Sequence, residues 1–218
     1  MPDDPMPTFT SMRRIIPGDR LFAPVNDLLV ILSAIAHASS VMVGGKVHTN
    51  PKPVFRVGTR WPDYGLGVPL RGPLEHALVG TVPTSIEIGI ITDSHVLTEP
   101  LADVKLQTGG LNDVMAHVVS PIFLSFFERY NEWMTTNLGD AVNWPPTLNF
   151  ARVIRNSVAH GKIKINDPNA PAVRWRDLSY SHADNGCQII GTDIKLGEIL
   201  ALMFDANDGL DGVGVPVL

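Results

Sequence analysis

The chain has one cysteine, Cys187, in 218 residues. A lone thiol excludes an internal disulfide, and its natural setting is a reducing, cytoplasmic compartment. Several signatures of nucleotide and metal chemistry are missing as well. There is no GxxxxGK[ST] phosphate loop, no GxGxxG run and no HExxH, which removes glycine-lined nucleotide cradles and the zinc-hydrolase spacing as readings. The seven histidines form no cluster with cysteine or paired carboxylates, so no metal and no other cofactor is expected. The start, MPDDPMPTFTSMRR, lacks a basic stretch followed by an apolar one, and no secretory leader is expected. Long apolar runs are lacking too. LLVILSAIAHASSVMVGG, residues 28–45, has eighteen residues without Lys, Arg, Asp or Glu, but Ser33, His37, Ser39 and Ser40 interrupt it. That reaches only the lower limit of a spanning helix and carries no aromatic belt. It reads as a buried helix with His37 as a core histidine, and no membrane contact is expected.

What the chain does have is apolar mass, with 44% hydrophobic against 18% charged residues, and many helix breakers, with Gly 19 and Pro 18. This is a globular composition with long irregular connections. The net charge of −5 does not advertise nucleic-acid binding over the whole surface. The charge is segregated, however. Residues 152–176 hold Arg152, Arg155, Lys162, Lys164, Arg174 and Arg176 against Asp167 alone, a local +5, whereas the remainder carries −10. Either this stretch meets an anion, or its bases solvate a loop and pair with acids elsewhere.

Prolines 2, 5, 7 and 17 mark residues 1–20 as an N-terminal arm. A first helix is expected from about Pro24 to Met42, ending at Gly44-Gly45. Residues 46–73 read as a long irregular insertion, with room for short strands. Thr84-Ser85-Ile86-Glu87 has capping-box spacing and predicts a helix through Leu97, broken by Pro100. Residues 109–140 predict a long helix kinked near Pro121, with Phe123, Phe126, Phe127, Tyr130 and Trp133 as core aromatics. WPP at 144–146 opens another helix, because a proline in the first turn sacrifices an N–H that has no helical partner anyway. Its Phe150, Val153, Ile154 and Val158 form the buried stripe; Asn149, Arg152, Asn156 and His160 form a polar one. Ala151, Arg155 and Ala159 make a third line that a second helix could approach. A β-hairpin over 172–191 is expected around Asn185-Gly186, a strong turn signal. Thr192-Asp193 would cap a last helix bearing Ile194, Ile199, Leu200 and Met203, and 208–218 read as a tail.

The chemistry-bearing stretch is RVIRNSVAHGKIKIND, residues 152–167. Asn156 and His160, one turn apart, share a face. The imidazole lies at a helix C-terminus, where unpaired carbonyls favour a cation, and it suits a group that both takes and gives protons. Arg155 offers a planar fork of donors that matches phosphate and can stabilise a pentavalent transition state. Together they suit metal-free phosphodiester cleavage with the RNA 2′-hydroxyl as internal nucleophile. The bare spacing is weak, since Arg71 and His76 share it and Arg176 and His182 nearly do. Only Arg155–His160 has a helix, a polar residue after the arginine and a glycine after the histidine. The bland readings are a helix cap for His160 and a salt bridge for Arg155. A thiol site of Cys187 with His182 and Asp184 is a weaker alternative; a lone hairpin cysteine is more often a small core residue.

RNSVAHG, residues 155–161, resembles the Arg-polar-xxx-His signature of HEPN domains, and the wider run 150–180 resembles bacterial and plasmid-borne members with a short strand segment after the motif helix. The resemblance implies a mainly α fold, a HEPN-like helical bundle over 21–207 with a small β-hairpin inserted after the motif helix. It implies a homodimer whose two motifs meet in one cleft, and metal-independent endoribonuclease activity of the toxin or phage-defence type, with a cognate antitoxin as a further partner. By position, Arg155 would polarise the scissile phosphate, His160 would be the acid and base, and Asn156 would orient the site. Arg152, Lys162 and Lys164 would bind the RNA. The alternative is a HEPN-like module that binds a nucleotide, RNA or a protein without catalysis.

Overall fold

The computed structural model describes residues 9–42, 54–69, 72–92 and 111–217. The chain divides into two compact units, residues 1–108 and 109–218. In the first, strands β1 (Ser11–Ile15), β2 (Val54–Gly58), β3 (Gly65–Pro69) and β4 (Ile86–Ile91) form an antiparallel sheet in the order β1-β4-β3-β2. Helix α1 (Phe22–Met42) packs with the short helix α2 (Gly72–Leu78).

This sheet corrects the mainly helical expectation: the fold is a mixture of helix and antiparallel sheet, not a helical bundle. Three sequence readings change with it. Ser11–Ile15, inside the expected arm, pairs with Ile86–Ile90 and buries Ile15. The expected insertion 46–73 contains the hairpin β2–β3. The capping-box helix is β4 instead. Its isoleucines are stiff, β-branched side chains that favour a pleated surface, and it has a partner on each side. Ile86, Ile88 and Ile91 are buried. The expected end of α1 at Gly44-Gly45, the continuation to Leu97 and the break at Pro100 lie outside the described residues. His37 is exposed on α1 rather than in the core. Among the described residues, no helix is long and apolar enough to cross a membrane.

Gly89 sits in the middle of β4, opposite Met12 on one side and Gly67 on the other. The ring of Phe9 occupies the space a β-carbon would need there. Gly89→Ala is therefore expected to dislodge Phe9 and lower stability by about 1–3 kcal/mol, the usual range for overpacking, as read from the urea midpoint.

The second unit contains α3 (Leu111–Leu138), α4 (Pro146–His160) and α5 (Leu196–Gly212), which pack on one another, with the hairpin β5 (Val173–Trp175) and β6 (Leu178–Tyr180) placed by β5 against α4. Phe123, Phe126, Phe127 and Tyr130 are buried, as the aromatic spacing predicts, whereas Trp133 of the same set is only half-buried. Pro121 lies inside α3 on an exposed position. It has no N–H for the carbonyl of His117, and the hydroxyl of Ser120 donates to that carbonyl at 3.2 Å.

The hairpin is tighter than expected. Its turn is Arg176-Asp177, with Trp175 opposite Leu178 and Arg176 in the left-handed region at φ 51. Asn185-Gly186 makes a separate turn closed by the Cys187 amide on the Asp184 carbonyl at 3.1 Å. Thr192 and Asp193 do not cap α5: the Thr192 hydroxyl donates to the Gln188 carbonyl, and Asp193 accepts from the Tyr180 hydroxyl. The helix starts later, where the buried Glu198 accepts from the Lys195 amide at 3.0 Å. Residues 208–212 of the expected tail belong to α5, and Val215 is buried.

Candidate functional site

Helix α4 builds the site. Pro146 opens it, and Gly161 closes it in the left-handed conformation at φ 72, where a side chain would be strained. Leu148, Phe150, Ala151, Val153, Ile154 and Ser157 are buried, so the polar stripe faces outward. Val158, assigned to the apolar stripe, is only half-buried.

Arg155 is half-exposed and forms an ion pair with Glu128 of α3, through Nε and Nη2 to Oε1. Its Nη1 donates to Asn156 Oδ1 at 2.8 Å. A guanidinium has five N–H groups, so three are used and two remain, one on each terminal nitrogen. The side chains of Arg155 and Glu128 are 27% and 39% exposed, so solvent screens the pair and its contribution to stability is modest. What the pair does is orient the guanidinium. Asn156 is thus the second side chain, after Glu128, that holds this guanidinium.

His160 is exposed in the last turn of α4 and has no hydrogen-bond partner among the described residues. It does not cap the helix, because Gly161 ends it through its own backbone. No bond joins it to Arg155. Arg152, expected on the anion side, spends Nε and Nη2 on Asn149 Oδ1 at 3.1 and 3.0 Å. Burial lowers its basicity, since desolvation disfavours the charged form. Lys162 and Lys164 are exposed and have no polar partner among the described residues. Among the described residues, only Arg155 and Arg176 of the six bases in 152–176 pair with acids, the second with Asp205 at 3.1 Å.

The thiol alternative loses its partners. Cys187 is exposed rather than a core residue. His182 Nδ1 is 2.7 Å from the Ile165 carbonyl, and the Asp184 carboxylate accepts from the Ser181 amide and hydroxyl. Among the described residues, no group of three or more His, Cys, Asp or Glu could hold a metal ion.

Two features of the site escaped sequence reasoning. Glu128 stands 27 residues from Arg155 and carries no local signal. Ser157 is 1% exposed on α4, yet its hydroxyl has no hydrogen-bond partner among the described residues. A buried, unsatisfied hydroxyl is costly. Ser157→Ala is expected to raise stability by about 1 kcal/mol, measured by urea unfolding.

No family model, no curated protein and no solved structure matches this chain.

Proposed function

We propose that the C-terminal half of α4 carries a metal-independent endoribonuclease site, with the chemistry that the HEPN resemblance of RNSVAHG implies. The observation behind this reading is the imidazole of His160, exposed and without a partner among the described residues, one turn from Asn156 and beside an arginine oriented by Glu128 and Asn156. The two remaining N–H groups of Arg155 bind the scissile phosphate and stabilise the charge that builds on its oxygens. A base takes the 2′-hydroxyl proton, the 2′-oxygen bonds to phosphorus, and the bond to the 5′-oxygen breaks. An acid protonates that leaving oxygen. The products are a 2′,3′-cyclic phosphate and a 5′-hydroxyl. The step uses a base and an acid at once, and one chain supplies one such histidine at this site. A second copy supplies the other, so the active form is a homodimer.

The engagement of three Arg155 donors favours a second reading, in which Arg155 ties α4 to α3 and the face binds RNA without cutting it. Incubating the protein with labelled single-stranded RNA in EDTA separates the two. Fragments ending in 2′,3′-cyclic phosphate are the expected result. Intact RNA that nevertheless co-purifies with the protein would establish the binding module instead.

A further inference from the structure

We infer that Lys162 and Lys164 form two successive phosphate subsites for one extended RNA strand, a track that leads away from His160 along the segment after Gly161. The inference rests on RNA being the ligand of the α4 site.

Three observations carry it. First, burial alternates strictly along this segment: Lys162 and Lys164 are exposed, whereas Ile163 and Ile165 are 2% and 7% exposed. The two lysines therefore lie on the solvent side of the segment, one buried isoleucine apart. Second, the backbone beneath the lysines is held. The Ile163 amide donates to the Cys187 carbonyl at 2.9 Å, and the Gly186 amide donates to the Ile163 carbonyl at 3.1 Å. The Asn185 side chain grips Ile165 at both backbone groups, accepting from its amide at 2.6 Å and donating to its carbonyl at 2.7 Å. This is the role of the Asn-Gly turn that the hairpin does not use. Third, neither lysine has an acidic partner among the described residues. The nearby carboxylates of Asp167 and Asp184 accept from backbone amides of their own loops.

Two point charges on a held backbone position a phosphate chain without reading its bases. Their single line suits one strand. A duplex presents phosphates across a groove, and its A-form geometry keeps the 2′-oxygen out of line with the leaving oxygen.

The test measures binding apart from cleavage. A single-stranded 2′-O-methyl oligoribonucleotide cannot be cut by its own 2′-hydroxyl, and its Kd is followed against salt concentration. The salt slope is expected to fall by about 0.7 for Lys162→Gln or Lys164→Gln and by about 1.4 for both, the single-strand value per phosphate contact. Lys195→Gln, an exposed lysine before α5, should leave it unchanged. The track is overturned if the parent does not bind, if the slopes do not change, if Lys195→Gln shifts them equally, or if a duplex of the same length binds as tightly. Cleavage of unmodified RNA together with unchanged slopes rejects the track and leaves the nuclease reading intact. Reduced slopes with uncut RNA retain the track and reject the nuclease.

Discussion

Replacing His160 with alanine is expected to lower the rate of RNA cleavage by roughly 10²–10⁴-fold, the usual contribution of a general acid or base. The thermal unfolding midpoint should not move. The side chain is exposed and makes no hydrogen bond among the described residues, and the helix end it occupies is closed by the left-handed Gly161. Loss of rate without loss of stability separates a proton-transfer role from a structural one. Single-turnover cleavage beside a calorimetric scan measures both. A His160→Ala protein that cuts at the parent rate would overturn the assignment. Arg155→Ala gives a different pattern, because it also removes the tie between α3 and α4, so a small drop in stability should accompany its loss of rate. Arg155→Lys should not restore the rate, since an ammonium cannot hold Glu128 and Asn156 while presenting a fork to phosphate.

The largest effect on stability is expected at Phe150, on the buried face of the same helix. Phe150 is fully buried, with its ring 5.5 Å from that of Trp175 and 5.6 Å from that of Tyr180. It joins α4 to both strands of the hairpin. Phe150→Ala removes a whole ring from a packed site and should cost about 3–5 kcal/mol, the lost transfer energy plus the cavity left behind. The neighbouring polar ties cannot replace it. The Trp175 indole donates to Asp205 at 2.8 Å and the Tyr180 hydroxyl to Asp193 at 3.2 Å, which anchor the ring edges rather than fill the space between them. Guanidinium unfolding followed by tryptophan fluorescence would measure the loss. A cost below about 1 kcal/mol would mean that the hairpin collapses onto α4 and refills the cavity, so packing at this position would not be what holds it.

The limits of α4 were legible because they are set locally. A proline in the first turn and a glycine after the last residue act within one helical turn of themselves, and the apolar stripe between them follows the 3.6-residue period. The aromatic face of α3 was legible for the same reason. The sheet was not. Ser11 pairs with Ile90, and the run IEIGII becomes a strand because two partners far along the chain flank it. Thr84 and Glu87 have the local spacing of a helix cap, and pairing outweighs it, since a few tenths of propensity per residue cannot compete with burial of three isoleucines.

Within the candidate site the same division holds. Arg155, Asn156 and His160 and their order on one helix came from the sequence alone, as did the excess of positive charge from 152 to 176. Only the tertiary structure decided how each is used. It set Glu128 of α3 against Arg155, left His160 and both lysines open to solvent, and made Asn185 a clamp on Ile165. It also exposed His37 and Cys187, which an apolar helix and an expected hairpin strand assign to the interior. The physical reason is range. Helix caps, turns and periodicity are short-range properties written in neighbouring residues, whereas ion pairs, strand partners and burial depend on which distant segments share a core.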